Sequence, residues 1–184
     1  MNKYLRVLTQ FPFAMIKFTI KKILHVRKFS FHLLSFISIL SEFTIDRGAN
    51  VKLGKMFKQN RNSVIRVRKK AIFETGVNFA MNNGCMIVAH EKIIIGDTVQ
   101  LGPNVLIYDH DHDYKAEGGI KANLYKTSPI VIGNNVWIGA GSVVLRGTQI
   151  GDNSVIAAGS IVRGTIEPNS LFYQKKENMI KKIL

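Results

Sequence analysis

Cysteine is almost absent from this sequence of 184 residues, which contains one, Cys85. A single cysteine cannot form an internal disulfide, and no pair of cysteines spaced for a zinc ribbon is present. A disulfide framework and a cysteine-based structural zinc site are therefore excluded. We expect a reducing, cytoplasmic setting.

Long apolar runs are also missing. The longest stretch of the N-terminal half without a charged residue is Phe29–Ser41, which has 13 residues including His32 and four serines. A spanning helix needs about 20 apolar residues, so we expect no transmembrane segment. The chain begins with basic residues before an apolar stretch, but Gln10 and Pro12 interrupt that stretch and Lys17 follows. Since no small-residue cleavage site is present, we expect no signal peptide.

Acidic residues are scarce in the first 70 positions, where Glu42 and Asp46 stand against 16 Lys and Arg. Residues 71–184 hold 10 Lys and Arg and 10 Asp and Glu, so the formal charge of +14 belongs to one end of the chain. With 46% hydrophobic and 21% charged residues, the composition is that of a folded protein. No RNA-binding motif accompanies the basic segment, and we expect no nucleic-acid partner.

A six-residue repeat runs through the second half of the chain. The same spacing joins Ile95, Leu101 and Ile107, and it is clearest in a later series of aliphatic residues: Ile132, Ile138, Val144, Ile150, Ile156 and Val162. An α-helix predicts apolar residues three and four apart and a single strand predicts two, so neither explains a period of six. We interpret the repeat as short strands joined by turns, with each coil stacked on the one before. An antiparallel barrel would space its turns by 8–12 residues.

This repeat resembles that of the hexapeptide-repeat acyltransferases, [Ile/Leu/Val]-[Gly/Ala]-x-x-[small]-x. The resemblance covers residues 71–170 and is most specific at 133–160 (GNNVWIGAGSVVLRGTQIGDNSVIAAGS). It implies an all-β fold, a left-handed parallel β-helix that forms homotrimers with active sites between subunits. We expect a basic amphipathic helical segment at 1–43, the β-helix domain at 44–170, and a basic tail or helix at 171–184.

The repeat is interrupted between Ile107 and Ile132, which are 25 residues apart, one more than four repeats. We expect an inserted loop at 108–129 that protrudes from the stack, where solenoids often carry their function. Its start, YDHDHDY, holds two histidines and three carboxylates. These residues suit a catalytic histidine oriented by a carboxylate, a metal site in which His110 and His112 point the same way, or a solvated polar loop.

The preceding segment, Gly102–Tyr108 (GPNVLIY), resembles the one before the catalytic histidine of galactoside, maltose and polysaccharide O-acetyltransferases. That resemblance places the family histidine at His112 rather than His110. It implies that His112 is a general base, which deprotonates a sugar hydroxyl for direct attack on the thioester of acetyl-CoA. Three carboxylates are candidates to orient its ring: Asp109, Asp111 and Asp113.

The resemblance also implies acceptor and donor sites. The acceptor would be bound by Asn82, Trp137 and Tyr108. Coenzyme A would lie along Ala140, Ala157 and Ala158, with its phosphates near Arg163, Lys175 and Lys176, and no metal is expected. The sequence departs from the galactoside type here, since Arg163-Gly164 replaces Thr-Lys and residues 174–178 (QKKEN) replace Gly-x-Pro-Ala-Lys. Structural alternatives are a solenoid corner for Asn82 and outside packing for Trp137.

Residues 13–28 (FAMIKFTIKKILHVRK) predict a basic amphipathic helix. One face carries apolar residues at helical spacing and another carries lysines. The apolar residues are Ile16, Ile20, Ile23 and Leu24, and the lysines are Lys17, Lys21 and Lys28. Two interpretations are compatible: residues 1–40 bind an anionic membrane surface, or the helix caps the open end of the solenoid with its lysines in water.

We therefore expect an acyl-CoA-dependent O-acetyltransferase that acts on a sugar or glycan acceptor. The acceptor would be a lipid-linked or surface-polysaccharide precursor, which places the protein in the cytoplasm, peripheral to the inner face of the plasma membrane. Two alternatives stay open. One is a metal-dependent hydratase of the γ-carbonic-anhydrase type, which shares the solenoid and for which the chain offers His90, His110 and His112; the other is a non-catalytic binding solenoid.

Overall fold

The computed structural model describes residues 3–25, 28–175, 177, 180 and 181, with side chains from residue 12 onward. Within these residues one α-helix, α1 (Lys3–Leu24), precedes 22 short strands. Most of the strands form three parallel sheets, which are the three faces of a β-solenoid. The all-β solenoid predicted from the six-residue repeat is thus confirmed. No helix in this part of the chain is long and apolar enough to span a membrane.

Each coil contributes one strand to each face, and the faces are named A, B and C in the order in which the chain visits them. Face A contains β1 (Phe29–Ser30), β4 (Asn50–Leu53), β7 (Ile72–Thr75), β10 (Lys92–Ile95), β15 (Ile130–Ile132), β18 (Gln149–Ile150) and β21 (Thr165–Ile166). Face B contains β2 (Phe36–Ile37), β5 (Lys58–Gln59), β8 (Ala80–Met81), β11 (Gln100–Leu101), β16 (Trp137–Ile138), β19 (Val155–Ile156) and β22 (Leu171–Phe172). Face C contains β3 (Glu42–Ile45), β6 (Val64–Val67), β9 (Met86–Ala89), β12 (Leu106–Tyr108), β17 (Val143–Val144) and β20 (Ile161–Val162).

The inserted segment departs from this pattern. After β12 the chain forms an antiparallel hairpin of β13 (His110–His112) and β14 (Tyr125–Thr127), with a 3₁₀ helix at Gly119–Ala122 between the two strands. The hairpin lies outside the three faces, and β15 then resumes face A. The predicted loop is therefore an ordered hairpin.

The core is a column of apolar side chains inside the coils. All six aliphatic residues of the late repeat are at most 3% exposed. Glycine beside them lets successive corners stack closely, since a Cβ on Gly139 would lie 2.5 Å from the backbone nitrogen of Ala158. The six-residue period therefore corresponds to one inward-pointing aliphatic residue on each face of each coil.

The solenoid begins earlier than the repeat predicts. Its first strands, β1 and β2, lie within the segment 1–43 that we expected to be helical, and the last, β22, lies past residue 170. Phe29 pairs with Val51 and Val51 with Phe73, so the first coils are 22 residues long, whereas Val131 pairs with Gln149 in a coil of 18. Because only the second length is a multiple of six, the repeat is unreadable in the first coils.

Helix α1 covers the open end of the solenoid. Ala14 and Phe18 are fully buried against the first coil. The ring of Phe18 contacts four other phenylalanine rings, with centroids 5.1–6.2 Å apart: Phe29, Phe31, Phe43 and Phe57. The helix therefore acts as a cap, which stacked repeats require to close their core.

Candidate active site

The hairpin leaves the solenoid at the edge where the chain passes from face C to face A, named here the CA edge. Asp109, the residue before β13, is fully buried at this edge. Its carboxylate accepts hydrogen bonds from the backbone N–H groups of His90, Glu91 and Lys92, each at 2.8 Å, which form the same corner one coil below. Asp109 thus fastens the base of the hairpin to the neighbouring coil.

The same carboxylate holds His110. Nδ1 of His110 lies 3.3 Å from Oδ1 of Asp109. Burial alone would raise the pKa of the Asp109 carboxyl, but the hydrogen bonds from His110 and from the three backbone N–H groups outweigh it and lower the pKa. Because this carboxyl is ionised at neutral pH, it only accepts hydrogen bonds, so the contact requires a proton on Nδ1 of His110, which donates the hydrogen bond to Asp109.

His110 is wedged between aromatic rings. Its side chain is 14% exposed, and its ring stacks on that of His90 with centroids 3.8 Å apart. The ring of Tyr125 meets His110 edge to face at 5.4 Å and lies 4.4 Å from His90. Burial, followed by the electrostatic interaction with the His110 ring, lowers the pKa of His90 to about 4. His90 is therefore neutral at physiological pH.

His112 is the accessible histidine of the hairpin. It pairs across β13 and β14 with Tyr125, whose ring lies 4.6 Å from its own, and its side chain is exposed. Both hairpin histidines thus contact Tyr125 from one face of β13, as the two-residue period of a strand requires.

The three carboxylates considered as partners of His112 bond elsewhere within this chain. Asp109 bonds to His110, as described above. Asp111 accepts a hydrogen bond from Nε of Arg146 at 2.5 Å, and Asp113 pairs with Lys126 at 3.0 Å. Alternation along β13 explains this, since Asp111 points away from the face that carries the histidines. The Arg146 contact joins the hairpin to the coil above it.

The histidines of this edge are not arranged as metal ligands. Imidazole lone pairs lie in the ring plane, so the stacked rings of His90 and His110, inclined by 27°, direct their nitrogens along nearly parallel planes rather than toward one point. In the part of the chain that the structure describes, no group of three His, Cys, Asp or Glu residues is placed to hold a metal ion. The geometry gives no support to the hydratase alternative.

The predicted acceptor and donor residues gather at another edge. Asn82, Ala140, Ala157 and Ala158 all follow strands of face B, at the edge where the chain turns into face C, named here the BC edge. Backbone hydrogen bonds join these corners into a column, including those from Gly159 N–H to the Ala140 carbonyl at 2.8 Å and from Asn104 N–H to the Asn83 carbonyl at 2.9 Å. Asn82 is exposed at the lower part of this column, with the alanines above it.

The other predicted residues are spread over the surface. Trp137 is 57% exposed on face B, beside the column. The hydroxyl of Tyr108 lies 3.2 Å from the sulfur of Met86. Burial raises the pKa of the Tyr108 hydroxyl. Arg163 lies at the CA edge, Lys175 follows β22 of face B, and both are exposed. Lys176 lies outside the described residues.

Sequence reasoning did not identify two residues that shape the hairpin. Tyr125 touches all three histidines of this edge, and Arg146 anchors Asp111. Antiparallel pairing brings Tyr125 opposite His112 across a 12-residue connection, which is too long for a short hairpin-turn motif to reveal the pairing. Arg146 lies 35 positions from its partner, so only the stacking of coils brings the two together.

Comparison with known proteins now identifies the family. A sequence model described as "Bacterial transferase hexapeptide (six repeats)" matches residues 129–164. The putative lipopolysaccharide biosynthesis O-acetyl transferase WbbJ of Escherichia coli (strain K12) is 32% identical over 139 residues, which cover 68% of this chain and 70% of that protein. The chain belongs to the hexapeptide-repeat transferase family. This confirms the resemblance inferred from the repeat.

This hexapeptide-repeat transferase is also similar to other curated acetyltransferases and to solved structures. The galactoside O-acetyltransferase of Escherichia coli (strain K12) is 46% identical over 94 residues, 51% of this chain and 46% of that protein. The chain spans only part of the curated acetyltransferases that it matches: 66%, 55% and 46% of the length of three of them. A solved structure of a mutant of AntD, an N-acyltransferase from Bacillus cereus in complex with dTDP and coenzyme A, has a TM-score of 0.62 at 13% identity, covering 82% of each chain. That likeness concerns the fold.

Proposed function

We propose that this chain is an acetyl-CoA-dependent O-acetyltransferase that acts on a sugar hydroxyl, with His112 as the general base. Membership of the hexapeptide-repeat family and the relatives named as O-acetyltransferases support the reaction class. The observation that carries the assignment is the contrast between the two hairpin histidines. His112 presents an exposed imidazole on an anchored hairpin, whereas His110 is wedged between His90 and Tyr125.

The chemistry follows from the position of His112. A neutral imidazole accepts the proton of the acceptor hydroxyl as the oxygen forms a bond to the thioester carbonyl carbon. The carbon–sulfur bond of the tetrahedral intermediate then breaks, and His112 returns the proton to the departing thiolate. The products are the acetyl ester and free coenzyme A, with no acyl-enzyme. Proton transfer of this kind contributes typically 10²–10⁴-fold to a rate, on the order of 3–5 kcal/mol.

His110 and Asp109 support this site as positioning residues. Asp109 binds the base of the hairpin to the corner below and contacts His110. The ring of His110 in turn packs against Tyr125. Tyr125 in turn contacts the ring of His112. The carboxylate–histidine pair of this edge therefore orients the hairpin, and through it the general base.

A homotrimer is part of the proposal. His112 lies at the CA edge, while Asn82 and the alanine column lie at the BC edge, on the other side of face C. A site that uses both sets needs the hairpin of one subunit beside the BC edge of another. This arrangement also leaves room for a carboxylate of the neighbouring subunit to orient His112.

The BC edge fits a thin donor such as the pantetheine arm of coenzyme A. Ala140, Ala157 and Ala158 present small side chains there, and Lys175 follows the last strand of face B, where it can meet phosphate charge. Asn82, lower on the same edge, offers both a donor and an acceptor for a sugar hydroxyl. Trp137 and Tyr108 complete the proposed acceptor surface, and Arg163 would act from the CA edge of an adjacent subunit.

The proposed acceptor is a lipid-linked or surface-polysaccharide precursor at the inner face of the plasma membrane. The relative named for lipopolysaccharide biosynthesis supports a glycan of this class. So does the basic charge of residues 1–70, which suits an anionic membrane surface.

The decisive experiment measures thioester consumption from acetyl-CoA over a panel of sugars and nucleotide sugars. We expect His112→Ala to lower kcat by at least about 100-fold. His110→Ala should lower it less, and His32→Ala, an exposed histidine far from the hairpin, should leave it unchanged. Turnover that survives in His112→Ala but is abolished in His110→Ala would assign the base to His110. No thioester consumption with any acceptor would contradict the proposed activity.

A further inference from the structure

The side of α1 that faces away from the solenoid is apolar. Ala14 and Phe18 face the first coil, and Ile16, Ile20 and Ile23 lie on the opposite side of the helix, 64%, 53% and 68% exposed. The outer face of a terminal cap on a stacked repeat is normally polar, because it must keep the stack soluble. An outward row of isoleucines is therefore a departure that calls for a partner.

The first coil extends this apolar surface. Its corners expose four large aliphatic side chains: Leu33, Leu34, Ile39 and Leu40. Nζ of Lys17 donates to the carbonyl of Ser41 at 2.9 Å, which places the second of these corners beside the middle of the helix. Eight of the 18 large apolar side chains that are exposed among the described residues lie between positions 16 and 40. The apolar exposure is thus concentrated at the capped end.

Basic residues lie at the same end of the solenoid. A pocket at the C-terminal end of α1 is lined by Lys22, Lys28 and Lys52, against the one carboxylate of Glu74. Residues 1–70 carry 16 Lys and Arg against two carboxylates, and the described part of this range forms the cap and the first coils. An apolar face bordered by cations is complementary to an anionic lipid surface, whose phosphates lie above its acyl chains.

We propose that Ile16, Ile20 and Ile23, together with the aliphatic corners of the first coil, form a docking surface for an anionic lipid bilayer. The isoleucines enter the boundary between headgroups and acyl chains. The lysines around the pocket meet the lipid phosphates, each worth about 1 kcal/mol at an anionic surface, or about a 5-fold change in binding. A second copy of the chain suits this face less well, because two equally basic ends would repel each other.

The docked orientation also restricts the kind of acceptor, an inference that rests on the proposed function. Helix α1 lies across the end of the solenoid, so the stack rises from the membrane. The hairpin follows β12, the fourth strand of face C, three strand spacings from the first coil, which is about 14 Å. His112 then stands clear of the headgroups, and its acceptor is a hydroxyl carried outward from the lipid by intervening sugar units.

Flotation of the purified protein with vesicles tests the surface. One set of vesicles contains phosphatidylcholine alone and the other phosphatidylcholine with phosphatidylglycerol. We expect wild type to float with the anionic vesicles only, and less so at high salt, because salt screens the lysines. Ile16→Ser/Ile23→Ser should weaken binding by at least about 10-fold. Val77→Ser/Ile180→Ser, a control with two exposed aliphatic residues elsewhere, should bind as wild type.

Thermal unfolding of each variant tests whether the cap is still folded, and we expect the wild-type Tm because the substituted isoleucines face away from the core. Equal flotation of Ile16→Ser/Ile23→Ser and wild type would overturn the proposal, as would wild type that binds neither vesicle. So would wild type that stays unbound while the isoleucine variant changes oligomeric state, which would assign the face to a second copy. Flotation needs neither acetyl-CoA nor an acceptor, so its outcome is independent of whether acetyl transfer is observed. Kinetics with a soluble sugar should be unaffected in the isoleucine variant.

Discussion

The imidazole rings of His90 and His110 lie face to face at the CA edge, with centroids 3.8 Å apart. They occupy corresponding corners of successive coils, and Asp109 contacts both residues, through the backbone N–H of His90 and Nδ1 of His110. The edge that carries the proposed general base is therefore held by one buried carboxylate and one stacked pair of rings.

Replacing Asp109 by alanine should destabilise the fold. The substitution leaves three backbone N–H groups and the His110 ring without their acceptor, and we expect a loss of about 3–5 kcal/mol in the free energy of unfolding. Denaturant titration measures this. Asp111→Ala is the matched control, since it removes a half-exposed ion pair and should cost less than about 1 kcal/mol. Equal losses for the two variants would contradict the assigned role of Asp109.

The neutral state of His90 should make stability depend on pH. Its pKa in the folded chain is about 4, against an ordinary value of 6.5. Between these values the unfolded chain binds a proton that the folded chain does not, so the free energy of unfolding falls as the pH drops from about 6.5 to about 4. Denaturant titrations across this range should show a shallower fall for His90→Gln than for wild type. A slope unchanged in His90→Gln would refute the prediction.

Helix α1 should stabilise the solenoid through Phe18. This ring is fully buried among four other phenylalanines, so we expect Phe18→Ala to cost about 3–5 kcal/mol and to lower the Tm clearly. Ile20→Ala, two residues on and more than half exposed, should change stability by less than about 0.5 kcal/mol. Calorimetry compares the two. A large effect of Ile20→Ala would mean that the outward face is packed in the free protein.

Gly54 should tolerate no side chain, because the first coils stack closely. A Cβ at this position would collide with the carbonyl oxygen of Gly76 in the next coil, a backbone atom that cannot rotate away. We expect Gly54→Ala to cost about 2–3 kcal/mol by forcing the coils apart. Lys55→Ala, its exposed neighbour, should be close to neutral. Chemical denaturation of the pair tests the stacking, and a neutral Gly54→Ala would argue against it.

The sequence predicted the late coils better than the early ones. From Ile132 to Val162 each face of each coil uses six residues, so the inward positions recur at a constant spacing. In the first coils, Phe29, Val51 and Phe73 stack at intervals of 22. The period of six is lost there because the strands β3, β4, β6 and β7 of faces C and A have four residues each, whereas β17 and β18 have two. The inward residues there are buried as completely, but nothing local distinguishes them from an ordinary apolar pattern.

The candidate site divides in the same way. A local motif, Gly102–Tyr108, pointed to His112, and the structure places that residue exposed on a hairpin at the CA edge. The three backbone N–H groups that donate to Asp109 lie 17–19 positions away, at a corner that only the stacking of one coil on another brings within hydrogen-bond distance. The roles of His112 and of the BC edge residues stay predictions until kinetics are measured.

The sequence by itself determined the kind of fold, because a six-residue apolar period can bury its side chains only by stacking short strands. It also located the basic end, the inserted segment and an amphipathic helix. Only the tertiary structure decided which face of that helix is buried. The spacing identifies Phe18, Ile16 and Ile20 alike as apolar. It does not show that Phe18 fits into the open end of the solenoid while Ile16 and Ile20 stay exposed. It likewise decided that Asp109 serves His110 and the coil below, because such contacts depend on the distance between coils rather than on the distance along the chain.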